Sequence, residues 1–146
     1  IIVYSKGTMC SDSMVSTNST MDFSVKKITK TDEGYLVGGA GTLAEVSKIL
    51  DIFEENPYDK ISGKAEELSS IENSEALVVN PDGDVFMFFD KYFFEITPTP
   101  DFICIGSGKD VANGVMEMGG TPEKAVEIVC KYVHGCGGKL QKVELD

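Results

Sequence analysis

Three short segments of this 146-residue chain carry residue types that could work together as one site. The first, CSDS, sets Asp12 where a short second strand runs out. The second, SVKKITK, offers two cations, Lys26 and Lys27. Neighbours on a strand face opposite sides, so the two cannot point into the same space. The third, VGGAGT, puts Gly38, Gly39 and Gly41 between a strand and the start of a helix. Such a junction offers backbone N–H groups and the positive end of a helix dipole, a cradle for an anion or an oxyanion. Taken singly, each segment reads as structure: Asp12 as a turn residue, the lysines as surface charge, the glycines as close packing.

The elements that must position these segments follow from turn signals and periodicity. Residues 1–5 read as a strand, Lys6-Gly7 as a tight turn and residues 8–11 as the antiparallel partner. Residues 13–20 are polar and turn-rich. Strands are expected at 24–30 and 35–39, joined by a turn at Asp32-Glu33-Gly34. The period then changes: Leu43, Val46, Leu50 and Phe53 fall at helical spacing, so 42–55 reads as an amphipathic helix with Thr42 as its N-cap and Pro57 past its end. A short helix fits around residues 64–70.

The stretch ALVVNPDGDVFMFFDKYFFEIT reads as three strands separated by turns, and residues 102–106 form another. Helices follow at 109–118 and, with Thr121 as cap and Pro122 in the first turn, through GGTPEKAVEIVCKYVHG. Residues 139–145 close the chain as a strand. Hairpins imply antiparallel sheets and amphipathic helices must cover them, so the fold class is α+β, a four-layer αββα sandwich forming a single domain over residues 1–146. The aromatic run FMFFDKYFF suits strands buried on both faces, with a subunit contact as the alternative.

Composition bounds the partners. The net charge is −11, and all 13 cations are lysine, which opposes a nucleic-acid partner and removes the guanidinium fork. No apolar run approaches the ~20 residues of a membrane span. Lys6 interrupts the opening stretch and no signal-peptide core follows, so no membrane partner and a cytoplasmic location are expected. The four cysteines are widely spaced, and with a single histidine, His134, they make a poor metal set. No metal or cofactor is expected.

Taken in order, the Asp after the second strand, Val-Lys-Lys-Ile, Gly-x-Ala-Gly before the first helix and ALVVNPDGDVFMF…FICIGSGKDVANGVM resemble the N-terminal nucleophile hydrolases of the proteasome group. HslV and its shorter phage relatives are the nearest pattern. In that family an N-terminal threonine hydroxyl attacks an amide, and its own α-amine is the base. The resemblance implies Lys27 as the cation that lowers the amine's pKa, Asp12 as its partner, Gly41 as the oxyanion donor and Ser107 as a hydrogen-bonding group near the amine. It places the nucleophile one position before Ile1, which itself has no hydroxyl or thiol. Where relatives carry an Asp, this chain reads His134-Gly135-Cys136, with His134 as the candidate replacement.

The expected function is therefore a threonine-type peptidase subunit acting on peptide or protein substrate, provided that a Thr precedes Ile1. The alternative is a catalytically inactive Ntn-fold structural or assembly protein, such as one associated with a phage virion. A homo-oligomer is implied, with an ATPase or a virion scaffold as its partner and, for a phage protein, the host cytoplasm or the virion as its location.

Overall fold

The computed structural model describes residues 1–17, 20–55 and 66–146. Among them, strands β1 (Ile2–Ser5) and β2 (Thr8–Ser11) form the first hairpin, and β3 (Met14–Thr17) and β4 (Thr20–Ser24) a second. Strands β5 (Ile28–Lys30) and β6 (Leu36–Ala40) lead into helix α1 (Leu43–Glu55). After a 3-10 turn at Leu68–Ser70 come β7 (Glu75–Val79), β8 (Val85–Phe89), β9 (Tyr92–Glu95) and β10 (Phe102–Ile105). Helices α2 (Lys109–Glu117) and α3 (Pro122–Tyr132) and strand β11 (Gln141–Glu144) complete the chain.

The strands make two antiparallel sheets, ordered β10-β1-β2-β11 and β5-β6-β7-β8-β9, with β3-β4 as a separate two-stranded ribbon. Alternation along each strand sorts its side chains into layers. Ile1 and Val3 face α2 and α3, packing with Ala112, Ala125, Val126 and Val129. Ile2 and Tyr4 face the second sheet and meet Leu36, Leu77 and Val79. On that sheet's other side, Val37, Ala76 and Val78 pack against Ile49, Leu50 and Phe53 of α1. Strands buried on both faces explain the near-continuous apolar runs IIVY and ALVV. The four layers are those expected from the sequence.

Three expectations need correction. The aromatic run FMFFDKYFF is not buried on both faces, since Phe89, Tyr92 and Phe94 are exposed. Among the described residues six strands precede α1 rather than four, because the polar stretch at 13–20 contributes to the β3-β4 ribbon. The strand expected at 24–30 is broken: β4 ends at Ser24 and β5 begins at Ile28. Between them the backbone pairs with a side chain, Gln141 Nε2 donating to Val25 O at 2.6 Å and Lys27 N donating to Gln141 Oε1 at 3.0 Å. The start of the short helix expected at 64–70 lies outside the described residues; its end is the 3-10 turn.

Candidate active site

The first hairpin fixes where Asp12 can be. Lys6 and Gly7 both have positive φ, 48° and 86°, as a two-residue type I′ turn requires. That turn sets the register Ser5↔Thr8 through Ile2↔Ser11, so the next pair along is Ile1 beside Asp12. Asp12 is fully buried. Its Oδ1 accepts from Ile1 N at 3.0 Å and from Lys27 Nζ at 2.8 Å, and its Oδ2 accepts from Gly137 N at 3.1 Å. Burial alone would raise this carboxyl, but the positive charge at Ile1 N and the Lys27 ammonium together outweigh it and hold the group below its ordinary range.

The two lysines part company. Lys27 reaches inward and its side chain is only 16% exposed, whereas Lys26 turns out and pairs with Glu54 at 2.7 Å on the surface. The two still diverge although residues 25–27 are no longer strand, and Gln141 braces the backbone of this stretch at Val25 O and Lys27 N.

Ile1, Lys27, Gly41, Ser74, Glu75 and Ser107 all line one cleft of about 850 Å³ at the end of the sandwich. Gly41 has φ 144°, and a side chain there would collide with Ser74, whose Oγ would lie 2.1 Å from the added carbon. Gly106 sits against Ile1, where a side chain would come within 3.7 Å of Ile1 N, and so brings the exposed Ser107 to the same end of the cleft. Lys27, Gly41 and Ser107 thus line one opening, and Asp12 lies fully buried beneath it, tied to Lys27. His134 is exposed and does not line the cleft; Gly135 and Cys136 do. The buried Cys136 thiol donates to Ser107 O at 3.5 Å, and burial pushes its pKa up.

Sequence reasoning missed Glu75 and Glu45. Glu75 accepts from Gly106 N at 3.0 Å, a contact 31 residues apart with no local signature. Glu45 had one: Thr42-x-x-Glu45 is capping-box spacing. Its carboxylate accepts from Glu72 N at 2.7 Å, Asn73 N at 2.9 Å and Ser74 Oγ at 2.9 Å. Among the described residues no group of three or more His, Cys, Asp or Glu could hold a metal ion, and no helix is long and apolar enough to cross a membrane.

Two antiparallel sheets between helical layers, with a cleft at the amino end of the first strand, define the N-terminal nucleophile hydrolase fold of the HslV and proteasome group. Solved structures agree. BPH from Thiobacillus denitrificans in complex with epoxomicin is similar with a TM-score of 0.75 and 16% identity, covering 99% of this chain and 97% of that one. A second structure of Thiobacillus denitrificans BPH gives 0.71 and 15%, with the same coverage. Eukaryotic HslV from Trypanosoma brucei gives 0.69 and 16%, covering 98% of each chain. At this identity the shared property is the fold. No family model matches the sequence, and no curated protein does.

Proposed function

We propose that the chain is a peptidase subunit whose nucleophile is a threonine immediately preceding Ile1. The observation that carries this reading is the shared oxygen of Asp12. Ile1 N and Lys27 Nζ both bind Oδ1, so they lie no more than about 6 Å apart at the cleft. Strand alternation puts a residue before Ile1 on the opposite side of β1 from Ile1 itself. Its peptide N–H, at Ile1, still donates to Asp12, and its hydroxyl and α-amine are within reach of Lys27.

A free α-amine has a pKa near ~8, and an adjacent ammonium lowers it, so the amine can take the hydroxyl proton near neutral pH. As that proton leaves, the threonine oxygen attacks the scissile carbonyl carbon, and the negative charge passes to the carbonyl oxygen. The Gly41 N–H stabilises this oxyanion. The protonated amine then gives its proton to the departing amine of the product, and the ester left on threonine is hydrolysed by water. Ser107 hydrogen-bonds near the terminal amine and keeps it oriented.

The test is an epoxyketone, which needs hydroxyl and amine on one residue. The natural chain with its terminal threonine is expected to gain one adduct there, and Lys27→Ala to lower turnover by roughly 10²–10⁴. Labelling elsewhere, or full activity in Lys27→Ala, overturns the mechanism. A second reading, an inactive assembly subunit of the same fold, takes its support from the exposed apolar side chains Phe89, Tyr92 and Phe94 on β8 and β9. Both readings make the chain a homo-oligomer; light scattering that finds a strict 15.8 kDa monomer contradicts that assembly.

A further inference from the structure

The Gly41–Thr42 turn does not stand alone. It packs onto residues 72–74, a stretch outside both sheets and helices that forms part of the cleft wall. One carboxylate holds the two together. Glu45 lies in the first turn of α1, where a negative charge is favoured by the helix dipole. In an ordinary capping box such a glutamate bonds back to the N-cap backbone N–H. Here the N-cap N–H, Thr42 N, donates instead to Ser74 Oγ at 3.1 Å. Ser74 Oγ in turn donates to Glu45 Oε1 at 2.9 Å. Glu45 is thereby free to collect Glu72 N and Asn73 N, and these bonds hold its carboxyl below the usual range.

The peptide unit between Gly41 and Thr42 is therefore pinned at its nitrogen by Ser74, whose hydroxyl is pinned by Glu45. Gly41 itself adopts a φ of 144°, which few other residues tolerate, so its backbone direction depends on what holds the turn from outside. We infer that Glu45 is a positioning residue for the oxyanion hole, acting through Ser74 to aim the Gly41 N–H into the cleft. This rests on the threonine-peptidase reading. A donor aimed before charge develops stabilises the transition state more than the bound substrate, so loosening it lowers kcat and leaves KM nearly alone.

The experiment compares the threonine-bearing parent with Glu45→Gln and Ser74→Ala, measuring kcat and KM on a fluorogenic peptide and confirming folding by thermal melts. Outright loss of an oxyanion donor costs about 10²–10³ in kcat. A donor that is present but poorly aimed is expected to cost about tenfold, with KM within about twofold. Ser74→Ala keeps the carboxylate and so supplies the test should Glu45→Gln fail to fold. A parent that turns over substrate beside folded variants with unchanged kcat, or with the loss confined to KM, overturns the inference and leaves the peptidase reading intact. A parent that neither turns over nor takes the epoxyketone overturns both.

Discussion

Replacing Lys27 with methionine keeps most of its apolar stem and removes the charge that faces Asp12. The cost follows from what Asp12 has left. Its carboxylate is fully buried and has three donors; two of them, Ile1 N and Gly137 N, survive the change. Removing one partner of a buried ion pair costs ~3–5 kcal/mol, and two remaining donors place this case near the lower end, at about 3 kcal/mol. For a chain of this size each kcal/mol moves the midpoint by ~2–4 °C, so Lys27→Met should melt about 6–12 °C below the parent at pH 7. The pH dependence sharpens the test. In the parent used for these melts, the chain that begins at Ile1, the terminal ammonium and Lys27 hold Asp12 below its ordinary value, so its contribution is complete above the unfolded pKa of ~3.9 and is lost as pH falls through the lower folded value. In the variant the carboxyl rises towards or above that unfolded value, so its stabilising contribution is already reduced at neutral pH. The difference between the two proteins must therefore shrink on acidification, once Asp12 is protonated in both. Melts followed by circular dichroism from pH 7 to pH 3 measure it. A neutral-pH difference under about 2 °C, or one that stays constant to the acid end, refutes the assignment of Lys27 to the buried carboxylate.

The neighbouring lysine is the control: Lys26 and Glu54 pair on the surface, so Lys26→Ala should cost under about 1 kcal/mol in a urea titration. Gly41→Ala must strain a φ of 144° and push Ser74 aside, and should cost at least ~2 kcal/mol in the same titration. Gln141→Leu removes the partners of Lys27 N and Val25 O, each worth about 1–3 kcal/mol when left unpaired; hydrogen exchange should show faster exchange at the Lys27 amide. Burial pushes the Cys10 and Cys104 thiols up to about 12, Glu123 adding to the effect on Cys10, so iodoacetamide at pH 8 should leave both unmodified until the chain is unfolded in urea, as mass spectrometry would record.

How much of this was legible depended on whether a residue's role was set by near neighbours. The 3.6-residue spacing from Leu43 to Phe53 announced α1, and Thr121-Pro122 announced α3, because caps and stripes are local. The Lys6-Gly7 turn was equally plain, and through register it carried Asp12 to Ile1. The β3-β4 ribbon was not legible. It pairs outside both sheets, and β3, MVST, has no apolar alternation for a period-two test to find, although Met21, Phe23 and Val25 do alternate along and just past β4. Nor was the break after Ser24 read, although Val25 and Ile28, three apart, fall out of strand alternation; the backbone there is taken over by Gln141, 114 residues from Lys27.

The same division runs through the site. Asp12 and Lys27 are ionic partners only 15 residues apart, joined through the early strands, whereas the groups that hold them come from the far end of the chain. Gly137 N anchors the second oxygen of Asp12, and Gln141 anchors the backbone of Lys27. Both flank the start of β11, which joins the first sheet along β2. Lys27 thus belongs to the approach to the second sheet, Asp12 to the end of a strand in the first, and the closing segment ties one to the other. An ion pair across two sheets is only as well placed as the sheets are relative to each other. The 137–141 segment supplies that constraint beside the charges, while Glu45 and Ser74 supply it at the other wall of the cleft. Under the proposed mechanism, Asp12 and Lys27, visible in the sequence, carry the chemistry, and Gly137, Gln141, Glu45 and Ser74, which were not visible, aim it.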